Sequence, residues 1–288
     1  EIRTGTQITF KQLEEESNLI ASGLLHYGLK KGDRVLVMVP YGVDFVTLTF
    51  GLFKAGAVPI LIDPGLGKKN VLHCIKQSEP QGIIAIPLVH AVKTLIPAPF
   101  KSIRLSVTVG RKWFWRGPTL DQVKRNGQPG YQVGNIPEEQ AAAVLFTSGS
   151  TGPAKGVLYT HGMFGQQIRI LCEHFGILPG EKDLPTFPLF GLFSTGMGMT
   201  SVIPDMDPTH PAKVNPENII HPIQNYHITS SFGSPALWDT VSRYCQKSKI
   251  KLPSLRRILI AGAPVPGTLL KRFEFILEPD CKVLTPYG

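Results

Sequence analysis

The chain has 288 residues, 42% of them hydrophobic, enough to bury a substantial core as one large domain or two lobes. Its net charge is +9, but the lysines and arginines are dispersed, with no long basic run and no recognisable nucleic-acid module, so a nucleic-acid partner is not expected. Cys74, Cys172, Cys245 and Cys281 lie far apart and form no C-x-x-C, which argues against a disulfide framework or a zinc site and suits a reduced, cytoplasmic protein.

In chain order, Thr9 with Gln12 three positions on is a capping-box pattern, and Phe10, Leu13, Ile20 and Leu24 follow at roughly helical spacing until Gly28 and Gly32. RVLVMVP (34–40) predicts a buried strand. The alternation repeats as a helix near 43–55, strand 58–62, helix near 68–78 and strand 82–86. The most apolar stretch, residues 42–62, contains Asp44, Lys54, three glycines and Pro59. It reads as helix, turn and strand, not as a membrane span, and no signal peptide is visible. Residues 97–137, rich in Pro and Gly, predict a long connection between lobes. Within them RKWFWR (111–116) has the makings of a base-stacking or membrane-touching cluster. The expectation is that its rings pack on the core while Arg111, Lys112 and Arg116 stay solvated.

Strands are predicted at 141–146 and 156–160, then helix 162–175, a helical stretch near 192–200, and helix 216–226. Strand 228–232, helix 235–247, strand 257–261, helix 266–277 and strand 282–285 complete the pattern. Strands alternating with helices predict α/β layers around mostly parallel sheets. Ligands are then expected outside the carboxyl ends of the strands, where Thr147, Phe232, Ala261 and Thr285 fall, converging on one crevice.

The most telling segment is LFTSGSTGPAKG (145–156). Glycines let successive amides turn toward one point, hydroxyls add donors, and Lys155 adds a full charge, which together suit the β- and γ-phosphates of a nucleotide. A plain surface hairpin is the alternative for any Gly/Ser loop between strands. The segment is not a common P-loop, because Ala154 stands where that motif needs Gly and Gly156 follows Lys155. His161 and His174 match no metal spacing, and Asp205 and Asp207, flanked by prolines, read as turn residues.

TSGSTGPAKG resembles the phosphate-loop signature of the adenylate-forming superfamily, which includes acyl-CoA ligases, luciferases and peptide-synthetase adenylation domains. The family usually has Pro before the lysine, where this chain has Ala154. AGAPVP (261–266) resembles the family's adenine-contacting stretch and PYG (286–288) the start of its Y-G-x-T-E motif. The likeness covers essentially the whole chain. LIDPGLGKKN (61–70), VGRKWFWRGPTL (109–120), FPLFGLFSTGMG (187–198), VIPDMDPTHPA (202–212) and FGSPALW (232–238) resemble the branch that makes β-lactones in bacterial olefin biosynthesis.

The resemblance implies an adenylate-forming N-terminal domain of stacked α/β lobes, incomplete at residues 1–288, with the C-terminal lid domain and its catalytic lysine outside this sequence. By itself such a segment is expected to be inactive. Thr147 and Lys155 would be catalytic, and Thr147, Ser148, Gly149, Ser150, Thr151, Gly152 and Lys155 would hold the ATP phosphates, Thr151 also reaching Mg2+ or its waters. Gly262, Ala263, Pro264, Tyr287 and Gly288 would hold adenine. Phe190, Gly191, Met197, Phe232 and Gly233 would line the carboxyl end of an acyl tunnel, although taken alone these apolar segments read equally well as core. Many relatives carry His where Gly191 stands, and the smaller residue leaves room for a β-substituted acid.

The implied activity is ATP-dependent activation of a fatty, 3-hydroxy carboxylic acid as acyl-AMP with release of pyrophosphate, then β-lactone formation. The alternatives are transfer of the acyl group to CoA, which is a cosubstrate only on that reading, or to an acyl carrier. A non-catalytic nucleotide-binding protein is the remaining one. Partners are expected to be the acid and possible pathway enzymes or a carrier.

Overall fold

Thr9 opens the first helix as the sequence predicts: its Oγ1 accepts from the Gln12 amide at 3.1 Å, and Gln12 Oε1 accepts from the Thr9 amide at 2.8 Å. A computed structural model of the chain describes residues 6–147 and 154–286. The chain forms two units, Glu1–Gly165 and Gln166–Gly288.

The first unit runs α1 (Phe10–His26), β1 (Arg34–Met38), α2 (Val43–Lys54), β2 (Val58–Ile62), α3 (Lys68–Ser78), β3 (Gly82–Ala85), α4 (Pro87–Leu95), β4 (Leu105–Thr108), α5 (Leu120–Arg125), β5 (Ala141–Thr147) and β6 (Lys155–Thr160). Its sheet has the order β4-β3-β1-β2-β5-β6 and is parallel except for the antiparallel pair β5 and β6 at one edge. The parallel strands are nearly continuous Val, Ile and Ala because helices cover them, and Leu36, Ile60 and Ile83 are fully buried. Helices α1 and α2 approach so closely at Gly51 that a Cβ there would lie 2.6 Å from Ile20 Cγ2.

Helix α6 (His161–Phe175) leads into the second unit, which continues β7 (Lys182–Pro185), α7 (Pro188–Gly196), β8 (Thr200–Ser201), α8 (Glu217–Tyr226), β9 (Ser230–Gly233), α9 (Pro235–Ser248), β10 (Arg257–Ile260), α10 (Gly267–Ile276) and β11 (Lys282–Leu284). The sheet order is β11-β10-β9-β7-β8, parallel throughout. Trp238, Leu237, Val241, Ile258 and Phe273 form the centre of its core.

The structure differs from the sequence expectation in several places: α4 follows β3 where no element is predicted, and α7 (Pro188–Gly196) with β8 (Thr200–Ser201) replaces the helical stretch near 192–200. Residues 97–137 lie within the first unit, where they supply β4 and α5, and the division falls later, at Gly165. Leu105–Thr108 is too short to show a strand period, and α5 has only six residues, although Thr119 and Gln122 repeat the capping box of α1. Strand β7, Lys-Asp-Leu-Pro, is hidden by its polar and proline content. In RKWFWR only Trp115 is buried, while Trp113 and Phe114 face solvent. Residues 42–62 do form a helix, a turn and a strand, and among the described residues no helix is long and apolar enough to cross a membrane.

Candidate functional site

In the first unit the ladder of β5 and β6 sets Thr147 directly opposite Lys155, and Phe146 opposite Gly156. The two strands therefore bring Thr147 and Lys155, which bound the Gly-rich segment, together. At its exit Ala154 is buried in the core beside Phe146, Ile62 and Leu36, whereas Lys155 is exposed. Gly156 makes room for its neighbours: a Cβ there would lie 3.1 Å from both Phe146 Cζ and Val144 Cγ1. Ser148, Gly149, Ser150, Thr151 and Gly152 lie outside the described residues, as do Tyr287 and Gly288.

His161, one residue beyond β6, packs its ring edge-on against Phe53 at 5.5 Å, and burial pushes its pKa below the usual histidine value. That is a packed, neutral ring.

In the second unit, Gly262, Ala263 and Pro264 form an exposed loop at the carboxyl end of β10, and Gly262 has φ 96°, a conformation that glycine adopts without strain. At the carboxyl end of β9, Phe232 stacks on Phe190 of α7, with ring centroids 3.4 Å apart and planes 11° from parallel. Gly191, next along α7, is buried. Gly233 follows Phe232, and Thr186 ties the ends of β7 and β9 by donating from both its amide (3.1 Å) and Oγ1 (2.9 Å) to the Phe232 carbonyl. Met197 caps the other end of α7, six positions beyond Gly191. The structure thus joins Phe190, Gly191, Phe232 and Gly233 and sets Met197 farther along the helix.

One anchoring group escaped the sequence reading. Asp183 of β7 is buried, and its carboxylate accepts from Ser194 Oγ of α7, fastening that helix to the sheet. Burial pushes the Asp183 pKa up to about 6, against the opposing hydrogen bonds from Ser194 and Ser230 and the field of Arg257. A raised carboxyl pKa means that the folded protein binds the extra proton between about pH 4 and 6, so stability from this group falls as pH rises through that window. Replacing Asp183 by Asn is expected to flatten that fall, changing the variant-minus-parent unfolding free energy by up to about 3 kcal/mol between pH 4 and 7. Urea titrations across the range test this, and parallel curves for the two proteins would refute it. No local pattern betrays the pair, which joins residues eleven positions apart.

Asp205 lies in a bend, and Asp207 opens a turn of the kind that its flanking prolines suggest. Asp207 Oδ1 accepts from the Thr209 amide at 2.9 Å, and Thr209 and His210 hold the Asp207 pKa down at about 2. Among the described residues no group of three or more His, Cys, Asp or Glu is disposed to hold a metal.

The model of the family described as AMP-binding enzyme matches residues 2–288. The chain belongs to that family. It is 42% identical over 282 residues to the olefin beta-lactone synthetase of Stenotrophomonas maltophilia, covering 98% of this chain and 50% of the relative. It is 43% identical over 283 residues to the olefin beta-lactone synthetase of Xanthomonas campestris, with the same coverage. The chain therefore spans about half the length of the curated relatives it matches. A long-chain-fatty-acid-CoA ligase from Archaeoglobus fulgidus shares the fold, with a TM-score of 0.84 at 22% identity, over 100% of this chain and 59% of that one. The fold is that of the N-terminal domain of adenylate-forming enzymes, as the sequence resemblance implied.

Proposed function

We propose that this chain is the ATP-binding part of an enzyme that activates a fatty 3-hydroxy acid as acyl-AMP and then closes it to a β-lactone. The observation that carries adenylation is the β5–β6 pair, which puts Thr147 and Lys155 across from each other at the two ends of a Gly- and hydroxyl-rich bend. A bend of that composition presents amides and hydroxyls to anionic oxygen, and the lysine supplies charge where the leaving group develops it.

In this reading the acid carboxylate attacks the α-phosphorus of ATP in line, the bond from that phosphorus to the α,β-bridging oxygen breaks, and pyrophosphate departs with the electron pair. Thr147, Ser148, Gly149, Ser150, Thr151, Gly152 and Lys155 grip the β- and γ-phosphates. Gly262, Ala263 and Pro264, with Tyr287 and Gly288, take the adenine. Phe190, Gly191, Phe232 and Gly233 flank the carboxyl end of the acyl chain, and Met197 borders it farther along α7. Mg2+ would be carried on the phosphates with Thr151 as its assigned contact, and it supplies charge neutralisation.

The β-lactone step is supported by the names of the two relatives at 42–43% identity and by Gly191, whose lack of a side chain leaves space beside the reacting carbon. The substrate's own β-hydroxyl attacks the acyl carbon, gives up its proton, and AMP leaves. Such an intramolecular nucleophile has a high effective concentration and needs no thiol. Transfer to CoA is the competing reading, favoured by weaker likeness to proteins such as the long-chain-fatty-acid–CoA ligase of Thermus thermophilus, at 24% identity.

The intact protein, incubated with ATP, Mg2+ and a 3-hydroxy fatty acid without CoA, is expected to yield AMP, pyrophosphate and a β-lactone. Acyl-CoA formed only when CoA is supplied would overturn the lactone step. Absence of pyrophosphate with every acid would overturn adenylation itself.

A further inference from the structure

The segment from Pro80 to Leu120 takes no part in the proposed reaction, and its charge is one-sided. It carries Lys93, Lys101, Arg104, Arg111, Lys112 and Arg116 and no Asp or Glu. Among the described residues, Arg104 is the one of these six in an ion pair, with Asp33. The loop 111–116 is firmly seated: Trp115 Nε1 donates to Thr108 Oγ1 at 2.7 Å, and its ring stacks on His90 of α4 at 5.2 Å. Trp113 and Phe114 have ring centroids 5.5 and 5.4 Å from Trp115, yet they are 56% and 75% exposed. Their exposure therefore belongs to an anchored loop.

Helix α4, to which the stack fastens this loop, adds more apolar surface. Leu88 is 67% and Leu95 81% exposed, and Ile96 follows at 44%. Leu88 and Leu95 are seven positions apart, two helical turns, and so share one side, while His90 turns its ring the other way into the protein. Single exposed leucines are ordinary, but two solvent-facing aromatic rings on an anchored loop, flanked by the exposed Arg111 and Arg116, make an interaction surface.

We propose that this surface docks on an anionic lipid bilayer. Trp113 and Phe114 would enter the interfacial region, and Arg111 and Arg116 would meet the headgroup phosphates, while Lys112 stays on the Gly117 carbonyl at 2.6 Å. Aromatic rings favour the interface, long cationic side chains reach from apolar surface to headgroups, and a segment without carboxylates meets no repulsion there. A nucleic acid would use the same rings and cations, so binding of a single-stranded oligonucleotide with vesicles ignored would overturn the proposal. The proposal stands apart from the adenylation reading. If the substrate is a long-chain acid, the bilayer is also where that acid accumulates.

The test is sedimentation of the intact protein with vesicles of phosphatidylcholine alone or with added phosphatidylglycerol. Binding to the anionic vesicles that weakens with salt is expected, with a blue shift in tryptophan emission. Within these 288 residues Trp115 and Trp238 are buried, so the part of the shift that W113S/F114S abolishes reports Trp113. W113S/F114S is expected to lower partition at least tenfold, and R111E/R116E by roughly tenfold or more. All four side chains are exposed, so folding should survive, and either variant carries the test alone. Adenylation of a water-soluble acid should be unchanged in both, separating failure of this proposal from failure of the reaction. No partition into anionic vesicles, or variants that bind as tightly as the parent, would overturn it. So would capture of a protein partner through these residues while vesicles are ignored.

Discussion

Replacing Lys155 with Ala in the intact protein is expected to slow acid-dependent pyrophosphate release by roughly 10²–10³-fold, the usual cost of removing one preorganised donor from a developing negative charge. The side chain is exposed at the exit of the bend, and its strand pairs with β5 through backbone groups that the substitution leaves intact. The thermal midpoint should therefore stay within a degree or so of the parent, because surface changes of this kind rarely cost more than about 0.5 kcal/mol. Lys155→Arg keeps the charge but changes its reach and geometry, so it should recover part of the rate. The signature is a kinetic loss without a stability loss. An Ala variant within a few-fold of the parent rate would remove the phosphate-gripping role from this lysine.

Replacing Gly233 with Ala has its main effect on stability. The added Cβ would lie 2.7 Å from Trp238 Nε1 and 3.0 Å from its Cδ1, with Leu237 Cδ2 at 3.3 Å. Trp238 cannot retreat: it is completely buried, and Phe273 packs edge-on against it at 5.7 Å. Overpacking of this kind costs about 1–3 kcal/mol, read from chemical unfolding. The strain also reaches the neighbouring Phe232, whose ring stacks on Phe190, so the acid KM should rise as well. Trp238→Phe removes the edge that the methyl meets. The double variant should then be about 1 kcal/mol less destabilised than the two single changes predict together. Strict additivity would mean that the contact with Trp238 is not what Gly233 is there to avoid.

Much of the fold was legible because its signals are local. Lys68–Ser78 and Phe10–His26 are bounded by caps and glycines within a few residues, and the strands around Leu36, Ile60 and Ile83 are β-branched runs. The composition of residues 145–156, on which the proposed phosphate-binding role rests, is likewise written in consecutive residues.

Other features depend on how short segments fold back on one another. Asp183 meets Ser194 eleven positions on, Gly233 leaves room for Trp238 in the following helix, and the antiparallel pair β5–β6 takes one edge of the sheet; residue types and spacing alone do not specify these contacts. Trp113, Phe114 and Trp115 are near neighbours with similar side chains. Which one is buried is decided by where Thr108 and His90 offer a hydrogen bond and a ring. Composition and short-range spacing thus determined the element types and the family resemblance. Only the tertiary structure decided burial, register and close contact, because those depend on partners brought together by folding and carry no local pattern.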